Sequence, residues 1–281
     1  MTDQKRNPAA EAGNGENRCL PPAGNCATGW LKIIALGFMI IDHMGVVVFP
    51  NAGWMRVLGR IAFPLYCWCM VVGFHYTRSV PRYLLRILVV GLISQPLYTV
   101  AMNHLGPELE GVSAAWAFAR RYLIGSRVNI FLTLLLGLLG MWSIREKKAG
   151  SQFWGPVAVI CLATALGADY GWKGVLFMML LYAARGSRPA IAAVMIAFFL
   201  YWGTGYSVTL LIPLPFSLNS LPGWLYQPLS AFLRLETYGL LSLPFILCRF
   251  RKNLKMPVWL GYAMYPAHLV LIMVLKAIFA L

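Results

Sequence analysis

The sequence predicts an all-α protein, a polytopic integral membrane bundle of about nine to ten transmembrane helices. Of its 281 residues 59% are hydrophobic and only 12% are charged, whereas about 25% of the residues of a soluble domain are charged. Mean hydropathy is +0.67, and apolar blocks recur near the roughly 20 residues that a membrane-crossing helix needs. These blocks leave no room for a soluble module. Residues 29–281 are therefore predicted to form one domain, after a polar, disordered tail over 1–28.

Proline, glycine and basic residues divide the apolar blocks into spans. The first span, 31–49, ends before Pro50, and the last runs from about 258 to 281. The segment 207–233 is apolar but interrupted by prolines, so one broken span, two spans and a re-entrant pair are all compatible with it. Segment 104–127 is predicted to be a connection that contains an amphipathic surface helix. The other predicted spans are 54–75, 83–102, 128–144, 152–168, 172–184, 189–203 and 235–248.

The net charge of +15 comes from Lys and Arg in short clusters between the apolar blocks. Such clusters are typical of cytoplasmic loops beside anionic lipids, so membrane lipids are expected partners. No basic groove with interleaved aromatic residues is visible, which argues against nucleic-acid binding. A cytoplasmic N-terminus puts loops 78–82, 145–148 and 185–188 in the cytoplasm. Loop 249–255 joins them only if 207–233 adds no full crossing, which favours nine spans over ten.

The first span carries two adjacent ionisable residues, Asp42 and His43. An ionisable residue in a membrane helix costs at least ~2.5 kcal/mol on insertion scales, so it usually faces a cavity or a partner and indicates function. His268 lies inside the last span, and both imidazoles face one cavity if the first and last helices pack together. Neutral imidazole accepts a proton near pH 7, which makes histidine the usual general base. A single histidine is equally compatible with a simple helix-to-helix hydrogen bond.

Three arginines, Arg56, Arg60 and Arg86, lie in the second and third spans. Neighbouring helix positions point about 100° apart, so Asp42 is predicted to pair with one of these arginines rather than to orient His43. Guanidinium groups that face a cavity are natural phosphate ligands. Arg56 and Arg86 are also compatible with snorkelling to the membrane surface, which is harder for Arg60.

The other chemistry-bearing residue types give weaker signals. The six cysteines are predicted to be reduced and structural, because none has histidine partners at zinc-ligand spacing. DYGWKG, at 169–174, is predicted to be a tight turn in which Gly171 supplies the bend, and Asp169 is compatible with a helix cap. No Gly-rich phosphate loop, HExxH motif or nucleophile elbow occurs. No metal is predicted.

Several motifs occur together and in a fixed order from about residue 31 to the last span. They are IDHMG with Asp42 and His43, RVLGRIAFPLY with Gly59 and Pro64, GFHYTRS, YLLRI, ISQPLY, NIFLTLLLGLL, DYGWKGVL with Asp169 and Gly171, and YPAHL with Tyr265 and His268. This order resembles the TraX family of bacterial membrane proteins. The similarity leaves out the N-terminal tail and much of 207–233.

The resemblance implies a multi-pass acetyltransferase of the bacterial inner membrane. The family's named member is tied to acetylation of the amino terminus of a conjugative pilin. It belongs to a wider group of transmembrane acyltransferases that use cytoplasmic acetyl-CoA and a membrane-embedded histidine. The matching histidine here is His43. The acceptor is left open as a pilin amine or a glycan hydroxyl, and the reaction as N- or O-acetylation.

Joined to the residues, the resemblance gives a hypothetical mechanism. His43 removes a proton from the acceptor, which attacks the thioester. His268 orients the acceptor or carries its proton away. Asp42 is assigned to the catalytic residues together with these two histidines. A donor to the developing oxyanion gains strength in a dry site; the candidates are Asn129, Arg60 and Tyr265. Direct transfer and an acetylated His43 intermediate are both compatible with the sequence. The residues expected to hold acetyl-CoA are Arg60, Arg78, Arg82, Arg86 and Asn129.

Two rival classes of function remain open. A transporter or channel would also use intramembrane Asp, His and Arg, as proton relays or substrate ligands. No internal repeat with paired broken helices is visible, which argues against that class. A non-catalytic membrane assembly factor for pili would tolerate the loss of His43. Binding of CoA separates the acetyltransferase from the transporter.

Overall fold

The computed structural model describes residues 21–109, 111, 113–146 and 150–279. Within these ranges the chain is all-helical and contains no named strand, as the sequence predicts. Four helical stretches are long and apolar enough to cross a membrane: Thr28–Val47, Gly53–Tyr76, Val80–Ala101 and Val258–Ile278. The predicted count of about nine to ten spans is not confirmed by this criterion, because several other apolar helices are shorter than 18 residues.

The helices follow one another with short connections. The first half of the chain forms α1 (Thr28–Val47), α2 (Gly53–Gly59), α3 (Ala62–Tyr76), α4 (Val80–Ala101), α5 (Ala114–Phe118), a π-helix (Ala119–Ile124) and α6 (Ile130–Glu146). The second half forms α7 (Ser151–Ala165), α8 (Gly171–Ala184), α9 (Arg188–Gly203), a 3₁₀ turn (Leu218–Ser220), α10 (Gly223–Phe232), a 3₁₀ helix (Leu235–Ser242), α11 (Leu243–Leu247) and α12 (Val258–Ile278).

The predicted second span bends at the GRIAFP motif. α2 ends at Gly59, and the backbone N–H of Arg60 bonds to the carbonyl of Val57 at 3.2 Å before α3 begins. Pro64 lies in the first turn of α3, where its missing N–H leaves no intrahelical bond unmade. α3 is the central helix, since it is buried on most sides while α1, α4 and α12 keep exposed apolar faces.

Segment 207–233 contains no helix long enough to cross a membrane. Its longest helix is α10, with 10 residues. The backbone N–H of Thr209 bonds to the carbonyl of Leu233 at 2.9 Å, and Val208 and Arg234 form an isolated antiparallel bridge. The two ends of the segment therefore lie side by side, and the chain leaves the segment where it entered.

The first described residues, 21–27, form an ordered strap. Asn25 is buried, and its side-chain amide donates to the carbonyl of Phe245 at 3.0 Å. The Trp68 indole N–H donates to the Asn25 carbonyl at 2.7 Å. The prediction of a disordered tail is therefore wrong for 21–27, because the backbone of this segment completes hydrogen bonds with distant helices. Residues 1–20 of the predicted tail lie outside the described ranges.

Contacts between helix ends define two ends of the bundle. At one end, which we call the basic end, the Ala23 carbonyl of the strap accepts from Arg188 at 3.2 Å and from Arg249 at 3.1 Å. The Ala23 N–H bonds there to the carbonyl of Arg185 at 2.7 Å. At the opposite end, Lys276 donates to Asn103. A large polar cavity between the helices opens towards this opposite end.

Candidate functional site

A cavity of about 500 Å³ lies between α1, α2, α3, α8 and α12. Its mouth is formed by the connections at the end of the bundle opposite the basic end, including His104, Arg127 and Tyr206. Such a polar space inside an apolar helix bundle is the setting in which intramembrane ionisable residues act. The titratable side chains that line it are Asp42, His43, Arg56, Arg60, Tyr66, Tyr98, His104, Arg127, Asp169, Tyr170, Lys173, Tyr206, Glu236 and Tyr265.

The inner half of the cavity holds a chain of ion pairs. Arg60 donates through Nη2 to Asp42 Oδ1 at 2.8 Å and through Nη1 to Glu236 Oε1 at 2.9 Å. Arg56 Nη1 donates to the second oxygen of Asp42 at 2.9 Å. The side chains of Arg60 and Glu236 are only 9% and 7% exposed, so these bonds replace the water that the charges have lost. The predicted pairing of Asp42 with an arginine is confirmed for Arg56 and Arg60.

Gly59 permits this arrangement by its lack of a side chain. A Cβ at Gly59 would overlap the carboxylate and Cβ of Asp42. The GRIAFP motif therefore brings the α2 backbone against α1 at the position where Asp42 meets both arginines. The sequence marks Gly59 as a motif residue, and the structure gives the steric reason for a glycine there.

The substitution Gly59→Ala is expected to lower the free energy of unfolding by about 1–3 kcal/mol, because the added methyl group must displace Asp42 from its ion pairs. Unfolding in detergent, followed by temperature, measures the loss. Gly37→Ala is the matched control, since it lies in α1 with nothing within 4 Å of the new Cβ and gains helix propensity. Equal stability of the two variants would contradict the steric role of Gly59.

The two membrane histidines meet at the wall of the cavity. His43 Nδ1 and His268 Nε2 are 3.0 Å apart, which is hydrogen-bond distance, and the ring centroids are 5.0 Å apart. His268 is only 2% exposed, while His43 lines the cavity. The Tyr265 ring packs edge-on against His268 at 4.8 Å between centroids. The first and last spans do pack together, as α1 against α12, and bring the two histidines into contact. The expectation that both imidazoles face one cavity is wrong for His268, which lines neither cavity because the helices around it bury its ring.

The outer half of the cavity carries charged groups without ion pairs. In the described part of the chain, no ion pair involves Arg127, Lys173 or Asp169. Partial desolvation by the surrounding protein raises the pKa of Asp169 to about 6, against the opposing effect of the Arg60 and Arg127 cations, although the residue keeps an exposed surface. Partial burial, and then the Arg127 cation, lower the pKa of His104. Both effects favour the neutral form of the His104 imidazole.

A second, apolar cavity of about 150 Å³ lies between the first cavity and the basic end. Lys32, Tyr262 and Met256 line its basic-end side. The residues that line both cavities are Met39, Tyr66, Ile130 and Tyr265. The two spaces therefore adjoin along these side chains, next to the histidine pair.

The predicted phosphate ligands separate into two groups. Arg60 is held in the ion-pair chain of the first cavity. Arg78, Arg82 and Arg86 are exposed and do not line that cavity. The Arg86 guanidinium lies close enough to Tyr262, which lines the second cavity, to interact electrostatically with the Tyr262 hydroxyl. The structure thus associates Arg86 with the apolar cavity rather than with the histidines.

Asn129 serves the start of α6 rather than either cavity. Its side-chain oxygen accepts from the backbone N–H of Phe131 at 3.0 Å, and its amide donates to the Gly91 carbonyl at 2.8 Å. It lines neither cavity.

The positive φ of +55° at Gly171 confirms the predicted bend of the DYGWKG turn. Asp169 caps no helix, because the N-cap of α8 is Tyr170 without a side-chain bond.

Sequence reasoning did not select Glu236, Arg127 or Lys173 for the site. Glu236 is 176 positions from its partner Arg60, and nothing local to the sequence links the two. Lys173 lies within the DYGWKG motif, and that motif was the sequence signal that could have selected it for the site. Among the described residues no three His, Cys, Asp or Glu side chains are grouped to hold a metal ion. The five described cysteines are free.

The fold and the cavity define a helical membrane protein with a charged, histidine-containing intramembrane site. The family model described as TraX protein matches residues 27–276, and the chain belongs to the TraX family.

Three curated bacterial proteins are similar to this chain. A probable fimbrial assembly protein FimC, serogroup H1, of Dichelobacter nodosus is 29% identical over 57% of this chain and 63% of its own length. An uncharacterized protein of Rickettsia prowazekii (strain Madrid E) is 27% identical over 66% of each chain. Protein TraX of Escherichia coli is 28% identical over 59% of this chain and 62% of its own length. The chain thus spans just under two thirds of the length of these relatives. No solved structure matches it.

Proposed function

We propose that this protein is an acetyltransferase that moves an acetyl group from cytoplasmic acetyl-CoA to an amine or hydroxyl acceptor, with His43 as the general base. The observation that carries the proposal is the position of the hydrogen-bonded His43–His268 pair. The pair lies beside the side chains at which a polar cavity and an apolar cavity adjoin. Two substrates that approach from opposite ends of the bundle would meet there.

Acetyl-CoA is the substrate expected at the basic end. Its phosphates suit the exposed guanidinium groups of Arg78, Arg82 and Arg86, because arginine binds phosphate through charge-assisted hydrogen bonds. The largely apolar second cavity, with Lys32 on its lining, suits the uncharged arm that carries the acetyl thioester. Arg86 supports this path because its charge acts on Tyr262, which lies on the wall of that cavity.

The proposed reaction is an acyl transfer in which a proton passes through His43. The acceptor nitrogen or oxygen attacks the thioester carbonyl and loses its proton to His43 Nε2. The C–S bond then breaks, and the CoA sulfur leaves and takes up a proton. Base action at Nε2 requires His43 Nδ1 to donate its hydrogen to His268 Nε2, so that His268 fixes the tautomer of His43. An orienting partner of this kind is typical of a histidine base.

Tyr265 is the side chain that we propose as donor to the developing oxyanion. It lines both cavities and packs against His268. Arg60 suits this role less, because its two terminal nitrogens are engaged by Asp42 and Glu236. Asn129 suits it least, because its amide is bonded to a backbone carbonyl outside the cavities. Arg60 and Asp42 instead set the shape and charge of the cavity floor.

We also propose about nine crossings of a bacterial inner membrane, with the N-terminal side in the cytoplasm. The helices α1, α2–α3, α4, α6, α7, α8, α9, the stretch 235–247 and α12 run alternately between the two ends of the bundle. Arginines at the basic end support a cytoplasmic position for that end. Segment 207–233 would then lie on the side of the membrane opposite the cytoplasm.

The printed names of the relatives support a role in the assembly of fimbriae or pili. One is a probable fimbrial assembly protein and another is Protein TraX. A pilin amino terminus and a glycan hydroxyl are both acceptors that acetyl transfer could modify.

Purified protein in detergent tests the activity through acetyl-CoA binding by calorimetry and through release of free CoA thiol. We expect saturable binding to the wild type and to His43→Ala, with slow thiol release only by the wild type. The reason is that His43 acts on the proton and does not hold the nucleotide. A folded preparation that binds no acetyl-CoA would overturn the proposal and favour a transporter.

A further inference from the structure

We propose that the acetyl donor is recognised through the phosphate end of its pantetheine arm, and that Lys32 is the residue that binds this phosphate at the basic-end side of the second cavity. The inference rests on the proposed acetyl transfer and deepens it, because it names the part of the donor that the protein selects. The adenosine half of CoA is then not required, and the shorter acetyl-phosphopantetheine serves as a donor.

Lys32 brings a charge into a cavity that is otherwise uncharged. Among the described residues that line the second cavity, only Lys32 carries a formal charge. In the part of the chain that the structure describes, no ion pair involves it. A half-buried ammonium group that has lost part of its water is stabilised by a counter-charge. An anionic group of a ligand would supply that counter-charge.

The first turn of α12 favours an anion on the same side of the cavity. Pro257, Val258 and Gly261 line the cavity, and α12 begins at Val258. Lys32 Nζ lies 3.6 Å from the position that a Cβ on Gly261 would take, so the ammonium group packs against this turn. The free backbone N–H groups at the start of a helix add to the attraction of a phosphate by the lysine.

Lys32, Met39 and His43 form one stripe along α1. Successive residues of a helix turn by about 100°, so positions 39 and 43 return to within about 20° of the direction of position 32. Lys32 lines the second cavity, His43 lines the first, and Met39 between them lines both. The stripe therefore follows a path from the basic end to the histidine pair.

The length of this path matches the pantetheine arm. The rise of α1 from Lys32 to His43 is about 16 Å. The arm has about 13 bonds between its phosphorus and its sulfur, and at the roughly 1.2 Å per bond of an extended chain it spans about 15 Å. A phosphate bound by Lys32 therefore brings the thioester to His43.

The competing role for Lys32 is snorkelling, in which the ammonium group only reaches the polar surface of the membrane. A snorkelling lysine acts on no particular group of the donor. The dependence of binding on the phosphate therefore separates the two roles.

Binding of phosphopantetheine and of pantetheine to the full-length protein in lipid nanodiscs, measured by calorimetry, tests the inference. The two ligands differ only in the phosphate. We expect phosphopantetheine to bind about 10–100-fold more tightly, the effect of a charge-assisted hydrogen bond. We also expect acetyl-phosphopantetheine to release its thiol as acetyl-CoA does.

The same phosphopantetheine group occurs in free CoA and on acyl carrier proteins. Thiol release is therefore measured with acetyl-CoA and with an acetylated carrier protein as separate donors. The donor with the higher kcat/KM identifies the source of the group.

Three variants locate the phosphate site. Lys32→Gln is expected to weaken the binding of phosphopantetheine about 10–100-fold and to leave the binding of pantetheine unchanged. Lys32→Arg keeps the charge and is expected to retain the preference for the phosphate. Lys252→Gln is the matched control, because Lys252 is an exposed lysine that lines neither cavity. If Lys32→Gln does not fold, the two ligands compared on the wild type still give the result.

Equal affinity of the wild type for the two ligands would overturn the inference. Equal losses of both ligands in Lys32→Gln, no loss of either, or thiol release that requires the adenosine half would also overturn it. Thiol release from acetyl-CoA without a preference for the phosphate would remove only this inference. A preference that depends on Lys32, without thiol release from any donor, would keep the binding site and overturn the acetyltransferase.

Discussion

Replacement of Arg60 by methionine is expected to lower the free energy of unfolding by about 3–5 kcal/mol, the cost of leaving a buried charge without its partner. Arg60 is the shared partner of Asp42 and Glu236, at 2.8 and 2.9 Å. Without the guanidinium group, Glu236 has no ion pair among the described residues, and Asp42 retains only Arg56. Unfolding of the purified protein in detergent, measured against temperature or denaturant, gives the difference.

Two further variants isolate the charge effect from the loss of packing. Arg56→Met is expected to cost about 1 kcal/mol or less, because a partly exposed pair is screened by water and Asp42 keeps its bond to Arg60. The triple variant Arg60→Met, Asp42→Asn, Glu236→Gln removes all three charges and is expected to recover most of the lost stability. If Arg60→Met is no less stable than Arg56→Met, the ion-pair chain does not hold the bundle together.

Loss of either membrane histidine is expected to slow CoA thiol release by about 10²–10⁴, the usual contribution of a general base. His43→Ala removes the base itself. His268→Ala removes the group that fixes its tautomer, across a 3.0 Å hydrogen bond. Because the two residues act as a unit, the double variant is expected to be no slower than the slower single variant.

His75→Ala is the matched control for the histidine variants. His75 lies in the last turn of α3 and lines neither cavity, so its loss is expected to leave thiol release unchanged. The affinity for acetyl-CoA, measured by calorimetry, is expected to be the same in the wild type and in all four variants. Thiol release by His268→Ala at the wild-type rate would exclude a catalytic pair. So would a double variant whose rate is lowered by the product of the two single effects.

The sequence predicted those parts of the fold and site that depend on local pattern. Membrane helices with few charges make each exception visible, so Asp42, His43, Arg60 and His268 stood out from their spans. The pairing of Asp42 with arginine followed from helix geometry and the small number of cations nearby. Gly59 and Pro64 were recognised by motif, and their packing reason appeared only with the structure.

Contacts between distant segments could not be predicted. Glu236 completes the ion-pair chain from a 3₁₀ helix that follows a proline-rich segment. Its partner is decided by how the chain returns after 207–233, and the sequence left three alternatives for that return. Asn129 looked like a polar group in a span, yet its short side chain caps the backbone at the start of α6, as such residues often do.

The strap over 21–27 has a consequence for the order of folding during synthesis. Its partners Arg185, Phe245 and Arg249 leave the ribosome long after the strap itself. The loop that this contact closes spans more than 200 positions, so its closure costs more chain entropy than any pairing of neighbouring helices. The first described residues to be translated are therefore among the last to be fixed, and a nascent chain that stops before residue 245 cannot complete this end of the bundle.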